Sequence, residues 1–265
     1  MTSFAARLLI GFSSACLMFG QTNSPVVGVG PFLHMVSDLD QSLAFYHGEL
    51  GLEINGPPGE HKFTDNPAVA NLYGVPGKQF RAAVLKIPGS AMGIELLQWG
   101  EAREPKHQTI ADPGAVTLIL RKPDASAAKL ILHDPDGFTV EMERSESPGA
   151  DLSVSVSDIS KTMALYTGAL GFQADGEWLA VPSSSVRIRL TAAKGAEGLN
   201  IPFPEPGRGM LRLFVRNIAA LTESLKAGGF SAITTGGVPV TLPPSTHAII
   251  LRDPNNFYLQ PMDPR

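Results

Sequence analysis

A segment that occurs twice constrains this chain more than any other feature. Residues 37–52 read SDLDQSLAFYHGELGL and residues 157–172 read SDISKTMALYTGALGF, identical at seven of sixteen positions at an offset of 120. Residues 132–141 read LHDPDGFTVE and residues 251–260 read LRDPNNFYLQ, at an offset of 119. Two separate matches at nearly one offset predict an internal duplication.

Each copy predicts the same local structure. Asp38 or Asp40 can cap a helix that Gly51 ends, an apolar strand precedes it, and segments with a period of two residues follow. The segments AVTLILRKPD and MLRLFVRNI resemble further opening strands. The sequence therefore predicts an α+β fold of four βαβββ modules, which start near residues 29, 114, 150 and 208.

Composition narrows the class of partner. The net charge is -4, the pI is about 5.9 and no run of basic residues occurs. Nucleic-acid binding requires clustered Lys and Arg, so we expect no nucleic-acid partner.

The first twenty residues, MTSFAARLLIGFSSACLMFG, place Arg7 before an apolar stretch that is too short to span a membrane. This pattern predicts a signal peptide over residues 1–20 and an exported, periplasmic or secreted protein with no stable membrane span. The alternative is an apolar N-terminal helix on a cytoplasmic protein. Because Cys16 is the only cysteine, neither an intramolecular disulfide nor a Cys-based metal site is possible.

The segments VSDLDQSLAFYHGELGL, GIELLQW and HDPDGFTVEME resemble the vicinal oxygen chelate superfamily of glyoxalases, extradiol dioxygenases and bleomycin-resistance proteins. The resemblance implies two tandem domains, 28–147 and 149–265, whose modules curl in pairs into cups. It also implies a divalent metal in the cup, held by His and Glu from the first and last strand of each module. Members of the superfamily range from isomerases, dioxygenases and lyases to metal-free binders.

Strand alternation places Glu95 on one face with Leu97 and Trp99, and Glu141 on one face with Thr139. Both glutamates match the last-strand ligand positions that the resemblance implies. We therefore predict that Glu95 and Glu141 share one cup, either as catalytic acid and base or as metal ligands.

The first-strand positions hold Pro31 and Thr117, which are poor ligands. His34 lies three residues after Pro31, so parity predicts a buried core histidine on the helix side, unless a bulge at Pro31 turns it into the cup as a metal ligand. One divalent metal (Mg, Mn, Fe or Zn) and no cofactor both remain open. The predicted substrate pocket consists of Leu33, Met35, Leu97, Trp99, Thr117, Thr139 and Tyr73.

In the second half, the corresponding positions are Asp151, Met210 and Gln260, with Arg187 or Arg189 on a neighbouring strand. Guanidinium groups there could bind a carboxylate or phosphate; the alternative is a purely structural copy.

Two length differences affect the cups. Asp124 and Asp134 lie 10 residues apart, whereas the matching Asn217 and Asp253 lie 36 apart, so the second module lacks 36 − 10 = 26 residues and one cup wall should be incomplete. Residues 61–80 are an insert in which NPAVANLYG predicts a short helix ended by Gly74. This insert is either a lid at the cup rim or a packed surface loop.

Two functions remain open. The first is an enzyme of the glyoxalase or dioxygenase type, metal-assisted or not, acting on a small oxygenated or aromatic substrate through Glu95 and Glu141. The second is a metal-free small-molecule binder of the bleomycin-resistance type. A homodimer is compatible with both.

Overall fold

The computed structural model describes residues 24–56, 61–100, 104–105, 109–194 and 203–263. The predicted signal peptide lies outside the described residues. Within the described chain, no helix is both long and apolar enough to span a membrane.

The described chain consists of four modules in sequence order. The first contains β1 (Val26–Met35), α1 (Leu39–Leu43), β2 (Glu53–Ile54), α2 (Pro67–Leu72), β3 (Phe80–Lys86) and β4 (Ile94–Trp99). The second contains β5 (Val116–Lys122), β6 (Lys129–His133) and β7 (Thr139–Arg144).

The third module contains β8 (Gly149–Val156), α3 (Ile159–Met163), β9 (Gln173–Asp175), β10 (Trp178–Ala180) and β11 (Arg187–Ala192). The fourth contains β12 (Gly209–Val215), α4 (Ile218–Ala227), a 3₁₀ turn (Thr235–Gly237), β13 (Val240–Leu242), β14 (Thr246–Ala248), β15 (Leu251–Arg252) and β16 (Tyr258–Asp263). The predicted α+β fold of four modules with a shortened second one is confirmed.

Helix boundaries follow from capping side chains. Asp38 accepts hydrogen bonds from the backbone N–H groups of Asp40 and Gln41, and Asp158 accepts one from Lys161. Both helices continue as π-helical turns, Ala44–Glu49 and Ala164–Ala169. Gly51 and Gly171 follow with φ of 71° and 73°, a left-handed conformation that favours glycine.

Two sheets combine the modules in an order that the sequence does not reveal. Sheet A has the order β13-β14-β16-β12-β1-β4-β3-β2, with β15 beside β16, and sheet B has the order β6-β7-β5-β8-β11-β10-β9. Sheet A thus joins modules one and four, and sheet B joins modules two and three, all within one chain. The predicted domain boundary at residues 147–149 falls directly before β8. Each sheet combines one module from before this boundary with one module from after it.

The helix-facing sides of both sheets form one apolar core, in which Tyr46 and Tyr166 are fully buried. The opposite face of sheet A carries a second apolar cluster, and we call this face cup A; it contains Leu33, Met35, Leu97, Trp99, Met210 and Tyr258. The opposite face of sheet B we call cup B; it contains Thr117, Glu141, Ser153 and Arg189.

The missing residues of the second module have a defined place. In the other three modules, a short strand lies outermost: β2, β9 or β13. The second module has no such strand and no helix among its described residues, so β6 forms the edge of sheet B. The incomplete wall that the sequence predicted therefore belongs to cup B.

Candidate functional site

The structure does not bring Glu95 and Glu141 together. Glu95 lies on β4 of sheet A and Glu141 on β7 of sheet B. The prediction that the two carboxylates share one cup is therefore wrong, because it assumed that neighbouring modules in the sequence pair in space. The predicted pocket divides in the same way, since Thr117 and Thr139 lie on sheet B and its other members in cup A.

A guanidinium group lies at the polar centre of cup A. Arg212 Nη1 donates to Glu95 Oε2 at 2.7 Å, and Arg212 Nε donates to Gln260 Oε1 at 2.9 Å. Tyr73 also forms side-chain hydrogen bonds with Arg212 and Gln260. Burial and the nearby Glu95 raise the pKa of the Tyr73 phenol to about 12, against the opposing effect of Arg212.

The insert covers cup A as a lid. Asn66 caps α2 by accepting a hydrogen bond from Val69 N, and Gly74 follows the helix with φ of 70°, as predicted. Tyr73 packs against Trp99 and Phe203, with ring centroids 5.4 and 5.3 Å apart. Cup A is consequently filled by side chains of the protein itself.

Cup B, by contrast, holds a cavity of about 290 Å³. Its lining is rich in hydroxyl and cationic groups, and Ile110 and Ala111 form part of its rim. The polar lining residues are Thr117, Lys129, Glu141, Ser153, Ser155, Arg189, Thr191 and Lys194.

Ion pairs fix the charges in cup B. Lys129 Nζ lies 2.6 Å from Glu141 Oε1, and Arg189 Nη2 lies 3.4 Å from both carboxylate oxygens of Glu141. Burial opposes the ionisation of Glu141, but Lys129 and Arg189 hold its pKa below the usual value. Glu141 is therefore an ionised acceptor that is already paired, which is a poor starting point for a general base.

The other side of cup B carries a second ionic group. Asp151 accepts hydrogen bonds from the backbone N and from Nη2 of Arg187, at 2.8 and 2.9 Å, and Arg121 Nε lies 3.3 Å away. The guanidinium of Arg187 also stacks on Trp178 at 4.2 Å from the ring centroid. These contacts orient the cationic side chains of β11.

His34 lies beneath sheet A and not in cup A, as parity predicts. The register of β1 shifts between Val29 and Phe32, yet His34 still pairs with Leu96, a residue of the helix-side core. The bulge thus does not turn the imidazole into the cup. His34 Nε2 instead lies 2.6 Å from Asp134 Oδ2, and its Nδ1 lies 3.2 Å from the carbonyl of Arg208.

His34, Asp134 and Asp136 form the one His/Asp/Asp group in the described chain whose ligand atoms lie within 4.8 Å of one another, a spacing that could hold a metal ion. Each of these atoms already has a protein partner. Asp134 Oδ1 accepts from the N–H groups of Asp136 and Phe138, and Tyr46 donates to Asp134 Oδ2. Asp136 accepts from Ser37 N and Ser37 Oγ. The group is thus a hydrogen-bonded latch that fixes β1 and α1 to the turn before β7.

The second half repeats this latch without the histidine. Tyr166 donates to Asp253 Oδ2 at 3.3 Å, and Ser157 N donates to Asn255 Oδ1 at 2.9 Å. Val154 occupies the position that His34 has in the first copy, 120 residues earlier. Burial raises the pKa of Asp253 to about 6, although the hydrogen bonds that Asp253 accepts favour a lower value. In the first copy, His34 holds the pKa of Asp134 below its usual value despite burial.

This difference predicts a pH dependence of stability. Folded Asp253 keeps its proton up to a pH of about 6, whereas the unfolded carboxyl ionises near 3.8. Its contribution is complete below pH 3.8 and is lost as the pH rises through 6, a total of about 3 kcal/mol. Urea unfolding of Asp253→Asn between pH 4 and 7 should lack this decline, whereas the exposed Asp65→Asn should retain it.

Arg212 and Lys129, which form ion pairs with Glu95 and Glu141, were not singled out from the sequence. The sequence does predict that Arg212 lies in a cup, because it is two positions after Met210 and strand alternation places both side chains on one face. The contact between Arg212 and Glu95 could not be predicted from the sequence, because the two residues lie 117 positions apart on strands of different modules.

Comparisons with known proteins agree with this geometry. Glyoxalase I from Zea mays covers 91% of this chain and 92% of its own, at 14% identity and a TM-score of 0.56. A mutant of the same enzyme covers 91% and 94%, at 13% identity and a TM-score of 0.59. A protein from Bacillus subtilis named as a provisional dioxygenase covers 91% and 87%, at 14% identity and a TM-score of 0.58.

These structural likenesses define the class of fold, a two-sheet α+β protein of the glyoxalase type. Residues 150–260 match the family model described as the Glyoxalase/Bleomycin resistance protein/Dioxygenase superfamily. This match confirms, over residues 150–260, the resemblance to this superfamily that was drawn from the sequence. A comparison with curated proteins gives no match.

The cups do not fit the metal that this superfamily implies. The carboxylates at the predicted ligand positions, Glu95 and Glu141, each already lie within 3.4 Å of a guanidinium nitrogen. Zinc and iron sites require imidazole or several free anionic ligands. The predicted metal ligands Glu95, Glu141 and His34 occupy three separate places, so they cannot bind one ion together.

Proposed function

We propose that this protein is a metal-independent binder of a small anionic, oxygen-rich molecule, which it holds in cup B. The cavity beside Arg189 carries this proposal. It is open, whereas cup A is filled by its lid. This function corresponds to the binding alternative and not to an enzyme with Glu95 and Glu141 as a catalytic pair.

The charge of the cavity supports an anionic ligand. Lys129, Arg189 and Lys194 contribute three cations, and Glu141 contributes one anion. The lining therefore has a surplus of about two positive charges, although the whole chain has a net charge of -4. The hydroxyl group of Ser153 adds a donor for a further oxygen atom.

Arg189 supplies a specific anchor. Its side chain lines the cavity and is 18% exposed, so a ligand can reach the guanidinium. A ligand carboxylate in the cavity could therefore accept hydrogen bonds from the accessible part of this guanidinium. Guanidinium groups bind carboxylates with two parallel hydrogen bonds, so a carboxylate is the ligand group that fits best.

The test is calorimetric titration of the full chain with benzoate and malonate, in EDTA. Arg189→Met should weaken binding by about 10- to 100-fold, because a charge-assisted hydrogen bond contributes about 1.5–3 kcal/mol. Arg252→Met, an exposed arginine on β15 of sheet A, is the matched control and should bind normally.

A second variant separates lost binding from lost folding. Glu141→Gln removes the carboxylate that competes for Arg189 and should strengthen anion binding by a few-fold. Binding that requires added metal, or that Arg189→Met leaves unchanged, would refute the proposed function.

A further inference from the structure

We propose that the guanidinium of Arg212 is the permanent cation of cup A, in place of a divalent metal. Cup A then needs no metal, and it becomes a weak divalent-metal site only when Arg212 is removed. This inference is independent of ligand binding in cup B.

The first observation is an oxygen cage from three separate elements. Glu95 Oε2 on β4, Gln260 Oε1 on β16 and the hydroxyl group of Tyr73 after α2 all form hydrogen bonds with Arg212. A carboxylate, an amide oxygen and a hydroxyl group are hard donors, the kind that Mg²⁺, Mn²⁺ and Ca²⁺ prefer. The cage therefore suits a cation, and Arg212 supplies it.

The second observation is that the backbone makes room for this side chain. A Cβ atom at Gly30 would lie 2.9 Å from both Cγ and Cδ of Arg212. The irregular pairing between β1 and β12 lies at the same place, between Val29 and Phe32. Glycine at position 30 is thus required for the stem of Arg212 to cross β1 toward Glu95.

The third observation is the balance of charge. The side chains of Arg212 and Glu95 are only 16% and 17% exposed, so their charges are poorly screened. A divalent ion bound to Glu95 would lie within a few ångströms of the guanidinium, and this repulsion would oppose its binding. Arginine and metal therefore exclude each other in this cage.

The experiment measures the melting temperature of the full chain in EDTA and in 1 mM Mn²⁺, with bound Mn²⁺ followed by electron paramagnetic resonance. Wild type should melt at the same temperature in both buffers. Arg212→Ala should melt roughly 5 °C or more below wild type in EDTA, because the half-buried Glu95 is left without its ion-pair partner.

Mn²⁺ should then raise the melting temperature of Arg212→Ala by a few degrees, and a Mn²⁺ signal should appear. The double variant Arg212→Ala/Glu95→Gln, in which the carboxylate is gone, should show neither effect. An Arg212→Ala protein that responds to Mn²⁺ no more than this double variant would overturn the proposal.

Mn²⁺ binding to the wild-type protein tests the proposal even if Arg212→Ala does not fold. Wild-type protein that binds Mn²⁺ in one equivalent, and loses that binding on Glu95→Gln, would show that a metal and not Arg212 neutralises cup A. Loss of benzoate binding in cup B would leave this result unchanged, so the two proposals fail separately.

Discussion

Replacing Asp134 with alanine is expected to lower the free energy of unfolding at pH 6 by about 3–5 kcal/mol, the usual cost of breaking a buried ion pair by removing one partner. Asp134 is the acceptor for His34, for Tyr46 and for two backbone N–H groups. Its loss leaves all of them without this acceptor in the core. Urea unfolding followed by circular dichroism measures the effect.

The exposed Asp65→Ala is the control and should change stability by less than about 0.5 kcal/mol. An Asp134→Ala protein as stable as this control would show that the latch does not hold the modules together.

The ion pair between His34 and Asp134 also makes the free energy of unfolding depend on pH. His34 has a pKa above its usual value, because Asp134 and a carbonyl group outweigh the effect of burial. The contribution of His34 is complete below pH 6.5 and is lost as the pH rises through its raised pKa. The contribution of Asp134 is complete above pH 3.8 and is lost as the pH falls through its lowered pKa.

Tyr73→Ala is expected to lower the free energy of unfolding by about 3–5 kcal/mol, the usual cost of truncating a buried aromatic side chain. Tyr73 is 4% exposed and packs on Trp99 and Phe203. Its removal takes away the contact that fixes the lid to cup A. Thermal and urea unfolding of the variant measure the loss.

Tyr73→Phe is the informative companion, because it keeps the ring and removes only the hydroxyl group that bonds Arg212 and Gln260. We expect it to cost about 1–2 kcal/mol. If Tyr73→Ala lowered the free energy of unfolding no more than Tyr73→Phe does, the ring of Tyr73 would not pack the lid onto cup A.

The local elements of this fold are predictable from the sequence. The repeat reveals the modules, and strand alternation assigns Leu33, Leu97 and Trp99 to one face. It also assigns His34 to the core. These predictions hold because side-chain direction in a strand depends only on parity.

The pairing of modules is not predictable in the same way. The sequence repeat suggests that modules one and two belong together, yet β1 pairs with β12 of the fourth module. Both arrangements bury similar apolar strands, so local pattern does not distinguish them. Every error about the candidate site, including the supposed pair of Glu95 and Glu141, follows from this single ambiguity.

The repeated residues turn out to be structural. Tyr46 and Tyr166, and the aspartates that follow β6 and β15, form the latches between modules. The residues that distinguish the cups, Arg212 and Arg189, fall outside the repeated segments. The positions that are identical in the two halves thus stabilise the fold, whereas Arg212 and Arg189, which distinguish the two cups, lie where the halves differ.

The most direct test of the account is a crystal structure of the protein with 4-bromobenzoate, in which anomalous scattering locates the bromine atom. We predict a bromine peak in cup B, with the carboxylate within hydrogen-bond distance of the Arg189 guanidinium. A ligand ordered in cup A, or bound through a metal ion at Glu141, would contradict the central claim.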